Sequence, residues 1–181
     1  MNKNKTLVAT YKSHTQAEAA VKDLLQSQFD MKNLSIVGRD YLTDEDVVGY
    51  YNAGGHMKHW GKLGAFWGGI WGLLFGSGFF FIPALGPLLV AGPLVVGIVG
   101  ALEEAVGGRN ALGAGLCRLG IPKKSVPQYE TALRSGKFVV IANGMADEAT
   151  RARHIINRSD LESLEVYPPS CPVPEPSLAP A

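Results

Sequence analysis

Apolar positions recur with clear periods at both ends of this chain and lose all period in the middle. Leu7-Val8-Ala9-Thr10-Tyr11 combines aliphatic, β-branched and aromatic residues and suits a half-buried strand. Ser13 precedes Gln16 by three, the spacing of a capping box. Ala17, Ala20, Val21, Leu24 and Leu25 then fall at i, i+3, i+4, i+7 and i+8, one apolar face of a helix. After a turn at Asp30, Leu34-Ser35-Ile36-Val37 reads as a second strand, which completes a βαβ unit. The pattern returns late in the chain. Lys137 to Ala142 predicts a strand, Asp147 to Asn157 a helix with Ala149, Ala152, Ile155 and Ile156 on one side, and Leu164 to Tyr167 a closing strand. Overlaid, Val8 matches Val140, Ala20 matches Ala152 and Leu24 matches Ile156. Two such units predict an α+β fold: a split-βαβ, ferredoxin-like sandwich with one antiparallel sheet covered by two helices. Ser125 and Gln128 repeat the capping spacing before a short helix that Gly136 ends.

The middle obeys a different rule. Between Lys62 and Glu103 lie 40 consecutive uncharged residues, with Ser77 the one conventional polar side chain. Leu63 to Ile82 is long enough to cross a bilayer as a helix of about 30 Å. Pro83-Ala84-Leu85-Gly86-Pro87 signals a turn, and Leu88 to Leu102 returns, interrupted by Pro93. The expectation is an inserted helical hairpin. Gly64, Gly68, Gly72 and Gly76 repeat every four residues and would leave a groove for close backbone approach, a glycine zipper within the hairpin or between copies. Gly97, Ala101 and Ala105 give the second limb a weaker small-residue face. Lys58, Trp60 and Lys62 stand where interfacial anchors would lie, and Trp67 and Trp71 would meet lipid. Basic residues flank the hairpin and its tip is uncharged, so both globular halves and both termini are expected on the cytoplasmic side.

The resulting division is residues 1–50 and 121–167 as the two halves of the ferredoxin-like domain, 51–120 as the insertion, and 168–181 as a tail. Six prolines in the last 14 residues predict an extended, disordered end.

Composition sharpens this picture at three points. Eighteen of the 22 glycines fall between Gly54 and Gly120, inside the apolar insertion. The net charge of +1 offers no global attraction to nucleic acid. Cys117 and Cys171 have neither disulfide-framework nor metal-ligand spacing, which fits a reducing compartment.

Chemistry-bearing motifs are sparse. No nucleotide loop, nucleophile elbow or zinc motif is present, and no acid, base and nucleophile assemble, so neither enzyme, metal nor cofactor is expected. His56 and His59 share a helical spacing but lack further ligands. Asp44 to Asp46 read as a solvated cluster, Glu103 and Glu104 as the polar boundary of the hairpin, and Cys117 as a small packed thiol.

The βαβ start from Leu7 to Val37 contributes to a resemblance, together with Gly61-Lys62-Leu63-Gly64-Ala65-Phe66-Trp67-Gly68-Gly69. Ile121-Pro122-Lys123-Lys124-Ser125 and Tyr129-Glu130-Thr131-Ala132-Leu133 complete it. Over residues 5 to 167 the chain resembles an uncharacterised bacterial family of membrane proteins related to the heat-induced general stress protein 17M domain. That resemblance implies a bacterial source, stress-linked expression and membrane association, with no catalytic residues. The expected function is a non-enzymatic inner-membrane protein that embeds its hairpin in the lipid bilayer and forms homo-oligomers as a scaffold. The alternatives are a soluble homo-oligomeric shell with buried hairpins and a small-ligand regulatory module.

Overall fold

The computed structural model describes residues 4–39, 77–82, 85–104 and 111–168. In chain order these form β1 (Lys5–Tyr11), α1 (His14–Gln26), β2 (Leu34–Arg39), β3 (Ser77–Ile82) and β4 (Gly86–Ala91). They continue as α2 (Pro93–Glu104), α3 (Ala111–Arg118), α4 (Val126–Arg134), β5 (Phe138–Gly144), α5 (Ala146–Ile156) and β6 (Ser163–Tyr167). The strands form one sheet in the order β3-β4-β2-β5-β1-β6, antiparallel at every pairing. The fold is therefore mixed helix and antiparallel sheet, with its two central strands drawn from opposite ends of the chain.

Strand alternation divides the core in two. On one face Leu7, Ala9 and Tyr11 join Leu34, Ile36, Val140 and Ala142 under Ala17, Ala20, Val21 and Leu24 of α1 and Ala149, Ala152 and Ile156 of α5. On the other, Val8, Val37, Val139 and Ile141 meet Leu94 and Ile98 of α2, Leu112 and Leu116 of α3, and Tyr129 and Leu133 of α4. Helices cover both faces, where the sequence predicts one covered face. The overlay of Val8 on Val140 also fails: Val8 points to the α2–α4 side and Val140 to the α1–α5 side. A one-residue slip reverses every side chain of a strand. The helical matches hold, since Ala20, Ala152, Leu24 and Ile156 all enter the same cluster.

The predicted apolar hairpin changes most. Ser77–Ile82, expected as the end of a long helix, is β3, and it pairs antiparallel with β4 up to Ile82 opposite Gly86. Short apolar runs rich in Phe, Val and Leu do not distinguish helix from strand by period, and here the free edge of β2 accepts β4. Pro93 does not interrupt a helix but begins one, a position where its missing N–H costs nothing. α2 has 12 residues, about 18 Å at 1.5 Å per residue. Among the described residues no helix is long and apolar enough to cross a membrane.

Local signals fare unevenly. Ser13 caps α1, its Oγ accepting the Gln16 amide at 3.3 Å, while Gln16 Oε1 accepts the Lys12 amide rather than that of Ser13. Ser125 makes no side-chain cap; α4 is entered instead through the 3-10 turn Lys123–Ser125. Gly136, at φ 76°, ends α4 as expected. Its amide bonds the Leu133 carbonyl and the Lys137 amide bonds the Ala132 carbonyl, the paired closure of a Schellman motif.

Candidate functional site

Two features on the α2–α4 side stand out: the outward surface of α2, and a polar cleft beside α4. α2 is fixed by the chain leaving β4. Gly92 has φ +88°, and a Cβ built there would lie 2.1 Å from the Leu34 carbonyl oxygen, so the turn rests directly on β2. The Leu94 amide then donates to the fully buried Ser35 Oγ at 3.2 Å, so a neighbouring strand supplies the hydrogen-bond acceptor that a helix start needs. Leu94, Ile98 and Ala101 are buried inward. A Cβ at Gly97 would sit 3.1 Å from the Gly115 Cα, so α2 and α3 cross with their backbones nearly touching. The opposite surface presents Val96, 70% exposed, and Val99, 42% exposed. From Pro93 to Leu102 the helix carries no polar side chain on any side, the pattern of a helix covered all round.

The cleft, about 290 Å³, opens between α4 and the β1–β6 end of the sheet. β6 pairs with β1 so that Val8 opposes Glu165 and Thr10 opposes Ser163. These residues alternate onto the α4 side, yet past Val8 the surface turns polar: Thr10, Ser163 and Glu165 line the cleft. α4 adds Gln128, Thr131 and the buried Tyr129. The Schellman closure at Gly136 delivers Lys137 to the rim, where its Nζ stands 2.7 Å from Glu162 Oε1 with both side chains half-buried.

One hydrogen-bond chain organises the inner end. Tyr167 Oη donates to Glu165 Oε2 at 3.1 Å. It has one proton, so the Tyr129 hydroxyl, 2.7 Å away, donates to it, and Gln128 Nε2 donates at 3.2 Å. Burial, followed by the bond to Tyr167, drives the Tyr129 phenol far above its ordinary value of 10.0, so it stays a neutral donor. The chain holds the Glu165 carboxylate in place.

Of the residues singled out from sequence, Gly97 and Ala101 lie on the buried side of α2 against α3 and the sheet. The close backbone contact of Gly97 is with Gly115 of the same chain. Gly64, Gly68, Gly72, Gly76, Lys58, Trp60, Lys62, Trp67 and Trp71 fall outside the described residues, as do His56 and His59. Cys117 is half-buried on α3 and packs on the second core. Among the described residues no group of His, Cys, Asp and Glu could hold a metal ion. The cleft itself went unread in the sequence. Its trace was there: Ser163 and Glu165 alternate with Leu164 and Val166, the pattern of an edge strand with one polar face.

The family model of the heat-induced stress protein YflT domain matches residues 6–79. The match takes in β1, α1 and β2 and ends within β3. No curated protein and no solved structure matches the chain. The likeness to a heat-induced stress domain agrees with the stress association expected from sequence; it carries nothing of the expected membrane character.

Proposed function

We propose that this is a non-enzymatic, stress-associated bacterial protein that self-associates through the outward face of α2 as a cytoplasmic homo-oligomer. The observation that carries the reading is α2 itself, a helix without a polar side chain from Pro93 to Leu102 that presents Val96 and Val99 outward. Singly exposed valines are ordinary, but a helix apolar on every side favours a covered environment. The terminal units form a split-βαβ, ferredoxin-like domain in this reading, with the β3–β4 hairpin, α2 and α3 as its insertion. The strand order β2-β5-β1-β6 and the placement of α1 and α5 on one face support that.

A second reading keeps the bilayer as partner, attached through the stretch holding Gly64, Gly68, Gly72 and Gly76. The 40-residue uncharged run favours it. Light scattering after gel filtration without detergent, paired with flotation of a lysate and a carbonate wash, separates the two. A defined multimer that stays at the bottom, and that Val96→Glu with Val99→Glu converts to smaller species of unchanged circular dichroism, supports self-association. Protein that floats and resists the wash replaces it with membrane embedding. A monomer that does not float overturns both.

A further inference from the structure

The cleft beside α4 answers a different question from the apolar face of α2, and it carries an inference independent of self-association. A sheet face lying under helices is ordinarily apolar. Here Thr10, Ser163 and Glu165 put two hydroxyls and a carboxylate on that face, and α4 contributes Gln128 and Thr131 across from them. Of these Thr10 is buried, while Ser163, Glu165, Gln128 and Thr131 are exposed, so the recess combines one buried hydroxyl with solvent-facing polar groups on both walls. At about 290 Å³ the space is just under the roughly 300 Å³ at which small-molecule sites begin, room for a small ligand only.

Charge narrows the ligand. Lys137, the one cation of the lining, is already neutralised by Glu162 at 2.7 Å. Glu165 is left as a carboxylate oriented by Tyr167. An anion entering would meet that charge with no free counterion. The remaining groups are a mixture of donors and acceptors at short spacing: the hydroxyls of Thr10 and Ser163, the Gln128 amide and the Glu165 oxygens. Neutral hydroxyls are both donors and acceptors and match such a lining, whereas an apolar ligand would strip water from it unrewarded. We propose that this cleft is a binding site for a small, uncharged polyhydroxylated molecule, a polyol or sugar, with Ser163, Thr10 and Glu165 on one wall and Gln128 and Thr131 on the other.

Saturation-transfer NMR on the full chain tests this, because it detects millimolar ligands on large assemblies as well as on monomers. The probes are sorbitol and trehalose, with glycine betaine as a zwitterion and methylphosphonate, whose methyl protons can report transfer, as an anion. Saturable transfer to sorbitol or trehalose is expected, with none to methylphosphonate. Ser163→Tyr, which fills the cleft from an exposed strand position that accepts a large aromatic, should abolish the signal with circular dichroism unchanged. Ser163→Ala, which removes one hydroxyl, should weaken binding by about two- to tenfold. Three outcomes overturn the proposal: no transfer to either polyol, transfer that survives Ser163→Tyr, or transfer confined to betaine or methylphosphonate. Because the readout does not depend on oligomeric state, the Val96→Glu, Val99→Glu protein should bind the same probes.

Discussion

Neighbouring positions on α2 face opposite ways, and that makes a sharp test of where its small residues act. Gly97 points at α3; a methyl group there would lie 3.1 Å from the Gly115 Cα and 3.3 Å from its carbonyl oxygen. Comfortable carbon contacts begin at about 3.5 Å, so Gly97→Ala must part the two helices by a few tenths of an ångström. Overpacking of this kind costs about 1–3 kcal/mol. Alanine returns about 1 kcal/mol through its better helix propensity. The net loss is then up to about 2 kcal/mol. Gly97→Leu cannot be accommodated by a small shift. It should lift α2 from α3 and loosen the cluster of Leu94, Ile98, Leu112 and Leu116, at about 3 kcal/mol or more. Val96→Ala, at a residue 70% exposed, should change stability by no more than about 0.5 kcal/mol. Urea unfolding followed by circular dichroism, at one fixed dilute protein concentration, reports each as a shift in midpoint at constant slope. An unchanged midpoint for Gly97→Leu would show that the α2–α3 crossing is not formed as described, and the small-residue face would then be free to act between chains.

Two further substitutions probe the frame. Gly92→Ala combines a left-handed φ of +88° with a Cβ placed 2.1 Å from the Leu34 carbonyl oxygen, and should cost over about 2 kcal/mol, read as a fall in Tm. Gly113→Ala, whose Cβ meets only a Val126 methyl at 3.2 Å, should be neutral or mildly stabilising. Glu18 is half-buried, its Oε1 enclosed without a hydrogen-bond partner among the described residues, and burial raises its pKa above the ordinary 4.5. A raised carboxyl pKa means that the folded state binds the proton more tightly, so the penalty is absent below the unfolded value and appears as pH rises through the folded one. Glu18→Gln should therefore raise Tm at pH 7 and leave it unchanged at pH 3. Solvent screening holds the gain under about 1 kcal/mol, and an equal gain at both pH values would refute the assignment.

The terminal units were legible because their helices carry a clear helical period and their strands are rich in β-branched and aromatic residues. The stripe from Ala17 to Leu24 and that from Ala149 to Ile156 locate α1 and α5 and the face they bury. What could not be read was how the apolar middle divides. Ser77–Ile82 and Gly86–Ala91 are short runs, and a run apolar at nearly every position has no moment to betray helix or strand. Pro93 could break a helix or start one; Ser35, supplied from β2, decides for the start. The cleft depends on Ser163 and Glu165 facing α4, which follows from their register with Thr10 and Val8, a long-range pairing that no local window contains.

That long-range pairing also sets the order in which the protein can form as it is made. Thr6 and Asn143 are partners across the centre of the sheet and stand 137 residues apart. At about 5–20 residues per second, β1 is synthesised roughly 7–27 s before its partner. β6 comes later still, so through this interval β1 has neither neighbour, and the apolar stripe of α1 has only part of the sheet to settle on. Of the sheet, the nascent chain at that stage holds only β3, β4 and β2 as possible partners. Production under heat stress would put this half-built intermediate at greatest risk of aggregation, and a chain terminated before β5 would never bring its two ends together.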